Sequence, residues 1–312
     1  MRHRLRRKTG QTIHQRARTA PTAWQHNGTW TIRGVNMKNV PTLGSELLTN
    51  TTFDSDTTNW TAVNSALASV AGGQSNNAMQ ITNSIASSGY AHQGVSTTAG
   101  DWLLALAYHK NGTAAAIHRL GSTSSAVDVA APASFSDGVY ALHPITGRAL
   151  GSTTYYRLIV NSGSAGVTTL FDEASVKKLT LNTLFAVRSG PNSPASVWAN
   201  GTIVSGAFCG VVYGLDSISS PANCIIAIHD GGTAIQLLKL VSGTWTQVLS
   251  TTATYVSGIL PQIKYTGGNT FQLFYGGTQR GADQTISDAG SGALHGVFNT
   301  YSGNAITGFF QS

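Results

Sequence analysis

Beyond residue 43 the apolar residues of this chain come only in short runs, each ended by glycine, serine, asparagine or aspartate, and that rhythm leaves few folds open. Stretches 155–160, 168–171, 203–213, 224–228, 235–241, 244–249 and 270–275 are rich in β-branched and aromatic residues, which suit a pleated, half-buried surface. Val241-Ser242-Gly243-Thr244 and Tyr265-Thr266-Gly267-Gly268-Asn269 supply the left-handed backbone positions that tight reversals need. No apolar stripe of helical period runs beyond two turns. No apolar run approaches the ~18 residues that span a bilayer, so the folded part is expected to be soluble. The spacing predicts an all-β chain of two tandem antiparallel β-sandwiches behind an extended basic N-terminal arm.

Charge divides the chain in the same way. The net charge of +7 conceals that residues 1–42 hold nine basic residues and no acid, whereas the rest holds ten basic against twelve acidic ones, a net of −2. A segment such as Arg2-His3-Arg4-Leu5-Arg6-Arg7-Lys8 repels itself and cannot bury a core, so it is expected to be disordered when free. Residues 9–22 are polar and broken by Gly10 and Pro21, unlike the apolar stretch of a secretory signal. A second boundary is read after Lys177-Lys178, where polar residues 180–183 precede Leu184-Phe185-Ala186-Val187. The expected units are the arm, 1–42, a first sandwich, 43–180, and a second, 181–312, both of ordinary domain size.

Cys209 and Cys224 are too few for a disulfide framework, and they flank a loop, 216–222, at unequal distances. They are read as two buried thiols. The sequence holds no Gly-x-Ser-x-Gly elbow, His-Glu-x-x-His helix or phosphate loop, and its nine histidines are scattered singly, as packing residues usually are. The acids decide more. Glu46 and Glu173 are the only glutamates. Glycoside hydrolysis generally needs two carboxylates on either side of one bond, and Asp216, Asp230, Asp283 and Asp288 of the C-terminal half stand among turn residues. Asp283 and Asp288 are odd-spaced and would face opposite sides of a strand. The chain is expected not to be an enzyme.

Leu47-Leu48-Thr49-Asn50-Thr51-Thr52-Phe53-Asp54, followed by Trp60, and the later Leu170-Phe171-Asp172-Glu173-Ala174-Ser175-Val176-Lys177 resemble the opening and closing blocks of carbohydrate-binding modules with a jelly-roll fold. Between them Ala91-His92-Gln93-Gly94-Val95 and Trp102-Leu103-Leu104-Ala105-Leu106 are similar to the family's paired strands, so the resemblance covers 43–180. It implies that the first and last strands lie side by side and that a structural Ca²⁺ sits between Asp54 and Asp172; the alternative is that both cap turns. The second half, through residues 239–249, Phe271-Gln272-Leu273-Phe274-Tyr275 and His295-Gly296-Val297-Phe298, resembles the concanavalin A-like sandwich of lectins, laminin G modules and some glucanases. It lacks the glutamate pair those glucanases use. A chain that joins the two kinds of module is similar to structural proteins of tailed bacteriophages.

What remains is adhesion. Sugars stack their C–H groups on exposed aromatic faces rimmed by hydrogen-bonding groups. The candidates are Trp102, Tyr108, Tyr140 and Tyr155 in the first sandwich, and Trp198, Trp245, Tyr275 and Tyr301 in the second. Aromatics in strands also serve as core, so only an exposed one with polar neighbours counts. Trp60 is read as structural.

The arm, with Arg2, Arg4, Arg6, Arg7, Lys8, Arg16 and Arg18, is read as an anchor onto capsid or tail proteins. Its alternatives are a plain unstructured tail and a nucleic-acid-binding arm, as in small icosahedral viruses whose capsid proteins join an arginine-rich arm to a jelly roll. The expectation is a non-enzymatic, extracellular, homo-oligomeric component of the virion surface, a head decoration or tail-associated protein. It would present glycan-facing surfaces, avoid membranes and need no cofactor besides Ca²⁺. Two competing expectations stand beside it: a carbohydrate-binding part of a secreted bacterial polysaccharide-degrading system, and a capsid subunit whose arm binds nucleic acid.

Overall fold

The computed structural model describes residues 23–33, 36–130, 132 and 134–312. Among the described residues the regular elements, apart from one 3-10 turn, Leu181–Thr183, are strands, and they form four antiparallel sheets paired into two sandwiches. The chain is all-β. No helix among the described residues is long and apolar enough to cross a membrane.

In the first sandwich one sheet runs Ala141–Arg148, Trp102–Asn111, Thr168–Leu179, Asn77–Asn83 and Ser65–Ala71, with Leu43–Glu46 also pairing Thr168–Leu179. The facing sheet has four strands, Ala115–Gly121, Thr153–Asn161, Tyr90–Ser96 and Thr61–Val63. Alternation sends Leu103, Ala105 and Ala107 of one sheet and Tyr156, Leu158 and Val160 of the other into a common core with Phe53, Trp60 and Phe171. First and last strands are neighbours, with Glu46 opposite Lys177. The Glu46 carboxylate fastens that seam by accepting from Val176 N–H at 2.7 Å and from the Ser175 hydroxyl at 2.6 Å. The Trp60 indole donates to the Asn50 carbonyl and meets Phe53 edge-on, 5.6 Å between centroids, which makes it a core residue.

The second sandwich faces a sheet of Gln25–His26, Phe185–Ser189, Leu294–Asn299, Cys209–Leu215, Cys224–His229, Ala234–Val241 and Thr244–Thr252 against one built around Thr29–Arg33, Asn36–Val40, Ala305–Gln311, Ser196–Thr202, Gln262–Gly267 and Thr270–Tyr275. Ser242 and Gly243, at φ 48° and 79°, reverse the chain between Ala234–Val241 and Thr244–Thr252 with two successive left-handed residues. Cys209 lies opposite His229 and Cys224 opposite Leu240, and both are buried free thiols.

One expectation about the arm is overturned. Gln25–His26, Thr29–Arg33 and Asn36–Val40 fall inside the stretch read as extended arm, yet they are strands of the second sandwich. Charge counting concealed a period of two: Trp30, Met37 and Asn39 turn inward, while Arg33 and Lys38 take the exposed positions. The first sandwich is therefore inserted into the second, leaving it after Val40 and returning at Phe185. Backbone and side chains stitch the crossing: the Thr183 carbonyl accepts from the Trp30 indole at 3.1 Å and from the Asn39 amide at 2.9 Å. Thr42 N–H donates to the Thr183 hydroxyl, and Thr180 N–H to the Thr42 carbonyl. Gly28, at φ +72°, permits the approach, since a Cβ there would stand 2.8 Å from Thr183 Cβ. The anchoring residues proposed from sequence, Arg2, Arg4, Arg6, Arg7, Lys8, Arg16 and Arg18, lie outside the described residues.

The two sandwiches share an apolar seam. Trp102, Leu104 and Leu179 of the first pack with Phe185, Phe208, Trp245 and Phe298 of the second. The Thr146 hydroxyl, buried at its rim, accepts from Phe208 N–H at 2.9 Å and lies 3.0 Å from the Thr300 hydroxyl. This is why Cys209–Leu215 and Cys224–His229 are buried along their whole length: one face meets the opposing sheet and the other meets the seam.

Candidate functional site

Three of the aromatics singled out as sugar platforms are corrected by burial. Trp102 and Trp245, 3% and 7% exposed, are the seam itself, and their rings are already covered by each other, Phe208 and Phe298. Tyr275 is 3% exposed, and its hydroxyl accepts from Val256 N–H at 2.7 Å. A ring enclosed on both faces cannot receive a pyranose. Tyr108 and Tyr301 are partly exposed beside the seam, and Tyr140 lies under the Lys110 ammonium, 5.8 Å from its ring centroid. Burial of the Tyr140 hydroxyl pushes its pKa up to about 12.

Trp198 is placed differently. In Ser196–Thr202 alternation sends Val197 and Ala199 to the core and leaves Trp198 and Asn200 on the outer face. Register then builds a row across four strands: Phe310 stands opposite Trp198, Gln262 opposite Trp198 on the other side, and Phe274 opposite Gln262. The Trp198 and Phe310 rings stack at 5.3 Å with 17° between planes, and Phe310 is 41% exposed. Lys264 holds its ammonium 3.8 Å from the Phe274 centroid. Beside the row runs a groove of about 240 Å³ lined by Trp198, Asn200, Gln262, Phe274, Gly276 and Gly277. The two glycines, at φ 58° and 78°, turn the chain with nothing within 4 Å of their open side, which keeps the mouth of the groove clear.

Sequence reasoning found Trp198 and missed Phe310, Phe274 and Gln262. The signal was there: successive residues of a strand point to opposite faces, so Phe309-Phe310 and Phe274-Tyr275 cannot each bury both rings in one core. Phe309 and Tyr275 went in, and their neighbours stayed out.

The acids of the second sandwich serve turns and pairs. Asp216 accepts from Ser217 and Ala222 N–H, Asp230 from Gly232 and Ala234 N–H, and Asp283 from the amides of Gln272 and Gln279. Asp288 pairs Lys239 at 2.7 Å. None of the residues lining the groove carries a carboxylate. The arrangement can stack and hydrogen-bond a ligand, and it offers no pair of acids to cleave one.

Asp172 is fully buried, and its two oxygens accept from Glu173 N–H at 2.8 Å and Ser75 N–H at 3.0 Å; burial raises its pKa. Asp54 is exposed, and its main-chain carbonyl accepts from the Asn77 amide. Asp172 stands at a bulge within Thr168–Leu179, and its side chain accepts from the backbone of that bulge and of the bend holding Ser75. Another group does have ligand spacing. His109, Asp137 and His143, scattered in sequence, place one donor atom each within 4.8 Å of one another. The reading of nine isolated histidines is corrected here, because the first sandwich brings His109, His118 and His143 together around Phe135, with His109 and His118 fully buried. The His109 and His143 rings are nearly parallel, 13° apart at 4.2 Å, so their in-plane lone pairs do not converge on one point. As placed, His143 hydrogen-bonds Asp137 at 2.8 Å, and His109 is a stacked imidazole whose pKa burial lowers to about 3.

No protein-family model matches the chain, and no curated protein does. Among solved structures it is similar to the carbohydrate-binding module CBM66 from Bacillus subtilis, with 10% identity over 85% of this chain and 99% of that one, at a TM-score of 0.29. The N-terminal tandem CBM22 modules of Paenibacillus barcinonensis Xyn10C give 12% identity over 88% and 98%, at 0.37. The arabinose-bound α-L-arabinofuranosidase MgGH51 gives 18% identity over 44% of this chain, at 0.35, and the match spans 27% of that enzyme's length. The likeness is one of β-sandwich architecture alone. The resemblance of the second half to concanavalin A-like sandwiches rests on its strand rhythm.

Proposed function

We propose that this chain is a non-catalytic carbohydrate-binding protein whose binding face is the outer surface of the sheet holding Trp198. The observation that supports it is the row Phe310, Trp198, Gln262 and Phe274, which sets partly exposed aromatic rings and amide groups side by side on one sheet face, Trp198 and Phe310 stacked and Phe274 beneath the Lys264 ammonium. Sugar C–H groups stack on such rings, while Gln262, Asn200 and Lys264 offer hydrogen bonds to hydroxyls. Exposed aromatics with no core to fill carry a cost in water, and a bound ligand offsets it.

This reading favours the carbohydrate-binding part of a polysaccharide-degrading system over the virion-surface role suggested by the sequence. Virion partners, attachment through the basic arm and homo-oligomerisation gain no support from the comparisons. The test is affinity electrophoresis of the full chain in gels holding a neutral soluble polysaccharide: β-glucan, xylan or galactan. Retardation in at least one gel, lost in Trp198→Ala, is the expected result. Equal mobility in all gels, with and without polymer, contradicts the reading.

A further inference from the structure

We propose that the outer face of the four-stranded sheet of the first sandwich is a second site, which takes a carboxylate-bearing sugar. It shares its ligand class with the reading above and uses other residues.

Register builds the site. Arg119 stands opposite Arg157, Arg157 opposite His92, and His92 opposite Thr61, one row across the whole sheet. Two guanidiniums in direct register repel each other, and Arg157 has little water to screen it, being 5% exposed. Buried charges are normally paired. Among the described residues the ion pairs are made by other groups, and neither arginine has a carboxylate within reach. Arg157 spends Nη1 on the Ser124 and Ser125 carbonyls, at 3.4 and 3.0 Å, and rests its guanidinium 5.0 Å from the Tyr90 centroid. Three buried nitrogens of this row, Arg119 Nε, Arg157 Nε and His92 Nδ1, have no hydrogen-bond partner. Burial lowers the pKa of both arginines; for Arg157 the neighbouring Tyr90 opposes that in part, and the charge of Arg119 adds to the lowering.

The ligand's shape comes from what lies beside the row. An open groove of about 520 Å³ is lined by Asn59, Thr61, His92, Gln93, Ser96 and Tyr155. Tyr155, opposite Gly94, passes its ring over that glycine: a Cβ there would stand 3.1 Å from Tyr155 Cε1. The ring is partly exposed and meets His92 edge-on at 5.7 Å. Neither arginine lines the groove itself; His92, which does, stands opposite Arg157, so groove and arginine row adjoin at His92, where a sugar stacked on Tyr155 would carry its carboxylate. Guanidinium matches carboxylate geometry with two parallel N–H donors. Inorganic anions would use the arginines and leave the groove and the Tyr155 ring idle, which is why a sugar acid fits better.

The test is calorimetric titration of the full chain with trigalacturonate, galactotriose, sulfate and phosphate. Trigalacturonate is expected to bind at least about tenfold tighter than galactotriose. That advantage should disappear in Arg157→Gln and in Arg119→Gln and persist in Trp198→Ala. Because Arg157 is buried, Arg119→Gln on a partly exposed side chain decides the matter should the first variant fail to fold. Equal affinity for both trisaccharides, or an advantage retained in Arg119→Gln, overturns the proposal. Sulfate or phosphate binding as tightly as trigalacturonate overturns the assignment to a sugar. Neutral polysaccharide binding through Trp198 without any acidic preference would sink this inference and leave the carbohydrate reading standing; binding of no saccharide at all would sink both.

Discussion

The indoles of Trp102 and Trp245, one from each sandwich, meet edge to face with centroids 5.9 Å apart and planes at 87°. With Phe208 and Phe298 they make the seam a continuation of core, so the two sandwiches should unfold together. Trp102→Ala leaves a large cavity there and is expected to cost about 3–5 kcal/mol. Scanning calorimetry should show one transition in the parent chain and two in the variant. A variant with a single transition near the parent temperature would mean that the seam is not a shared core.

The crossing at Thr183 makes a prediction about truncation. A chain beginning at residue 23 keeps Trp30, Met37 and their pairing with the second sandwich; a chain beginning at 43 loses both from its core. The shorter chain should melt well below the longer one, by many degrees, since each lost large side chain is worth about 2–5 kcal/mol. Equal melting temperatures would show that the hairpin contributes nothing to the fold.

His295 makes acid sensitivity predictable. It is fully buried by neighbours, its Nε2 lies 2.9 Å from the Pro191 carbonyl, and its Nδ1 accepts from Gly214 N–H, so the ring is held neutral. Burial holds its pKa below the ordinary imidazole value, with the Pro191 contact opposing in part. The native state therefore binds fewer protons than the unfolded chain. Its contribution is whole above about pH 6.5 and is lost as pH falls from there towards the depressed folded value. The urea midpoint should drop between pH 7.5 and 5, and His295→Gln should flatten that drop; an unchanged slope would refute the role.

Burial pushes the Cys209 thiol up to about 12 and raises Cys224 as well. Neither should react with an aromatic disulfide reagent at pH 8 until the chain unfolds, and then two thiols should appear together. Fast labelling of either in the native protein would contradict the described packing.

Strand positions and hairpins were legible because a period of two and residues such as Ser242-Gly243 act locally. The resemblance of the opening and closing blocks to a known module implied that the first and last strands of the first sandwich lie side by side, and Glu46 does stand opposite Lys177. What escaped was everything set by long-range register. The N-terminal strands were hidden under a charge count, although Trp30, Met37 and Asn39 alternate with polar residues. Trp102 and Trp198 look alike in sequence, each an aromatic within a strand, and only the seam distinguishes them. The rows Phe310, Trp198, Gln262, Phe274 and Arg119, Arg157, His92 draw on strands far apart in the chain, and no spacing along the sequence announces them.

The most direct measurement of the central claim is hydrogen–deuterium exchange of the full chain with and without the polysaccharide that retards it. Slower exchange concentrated in Ser196–Thr202, Gln262–Gly267, Thr270–Tyr275 and Ala305–Gln311 is the predicted result. Protection confined to other strands, or no protection at saturating polymer, would contradict it.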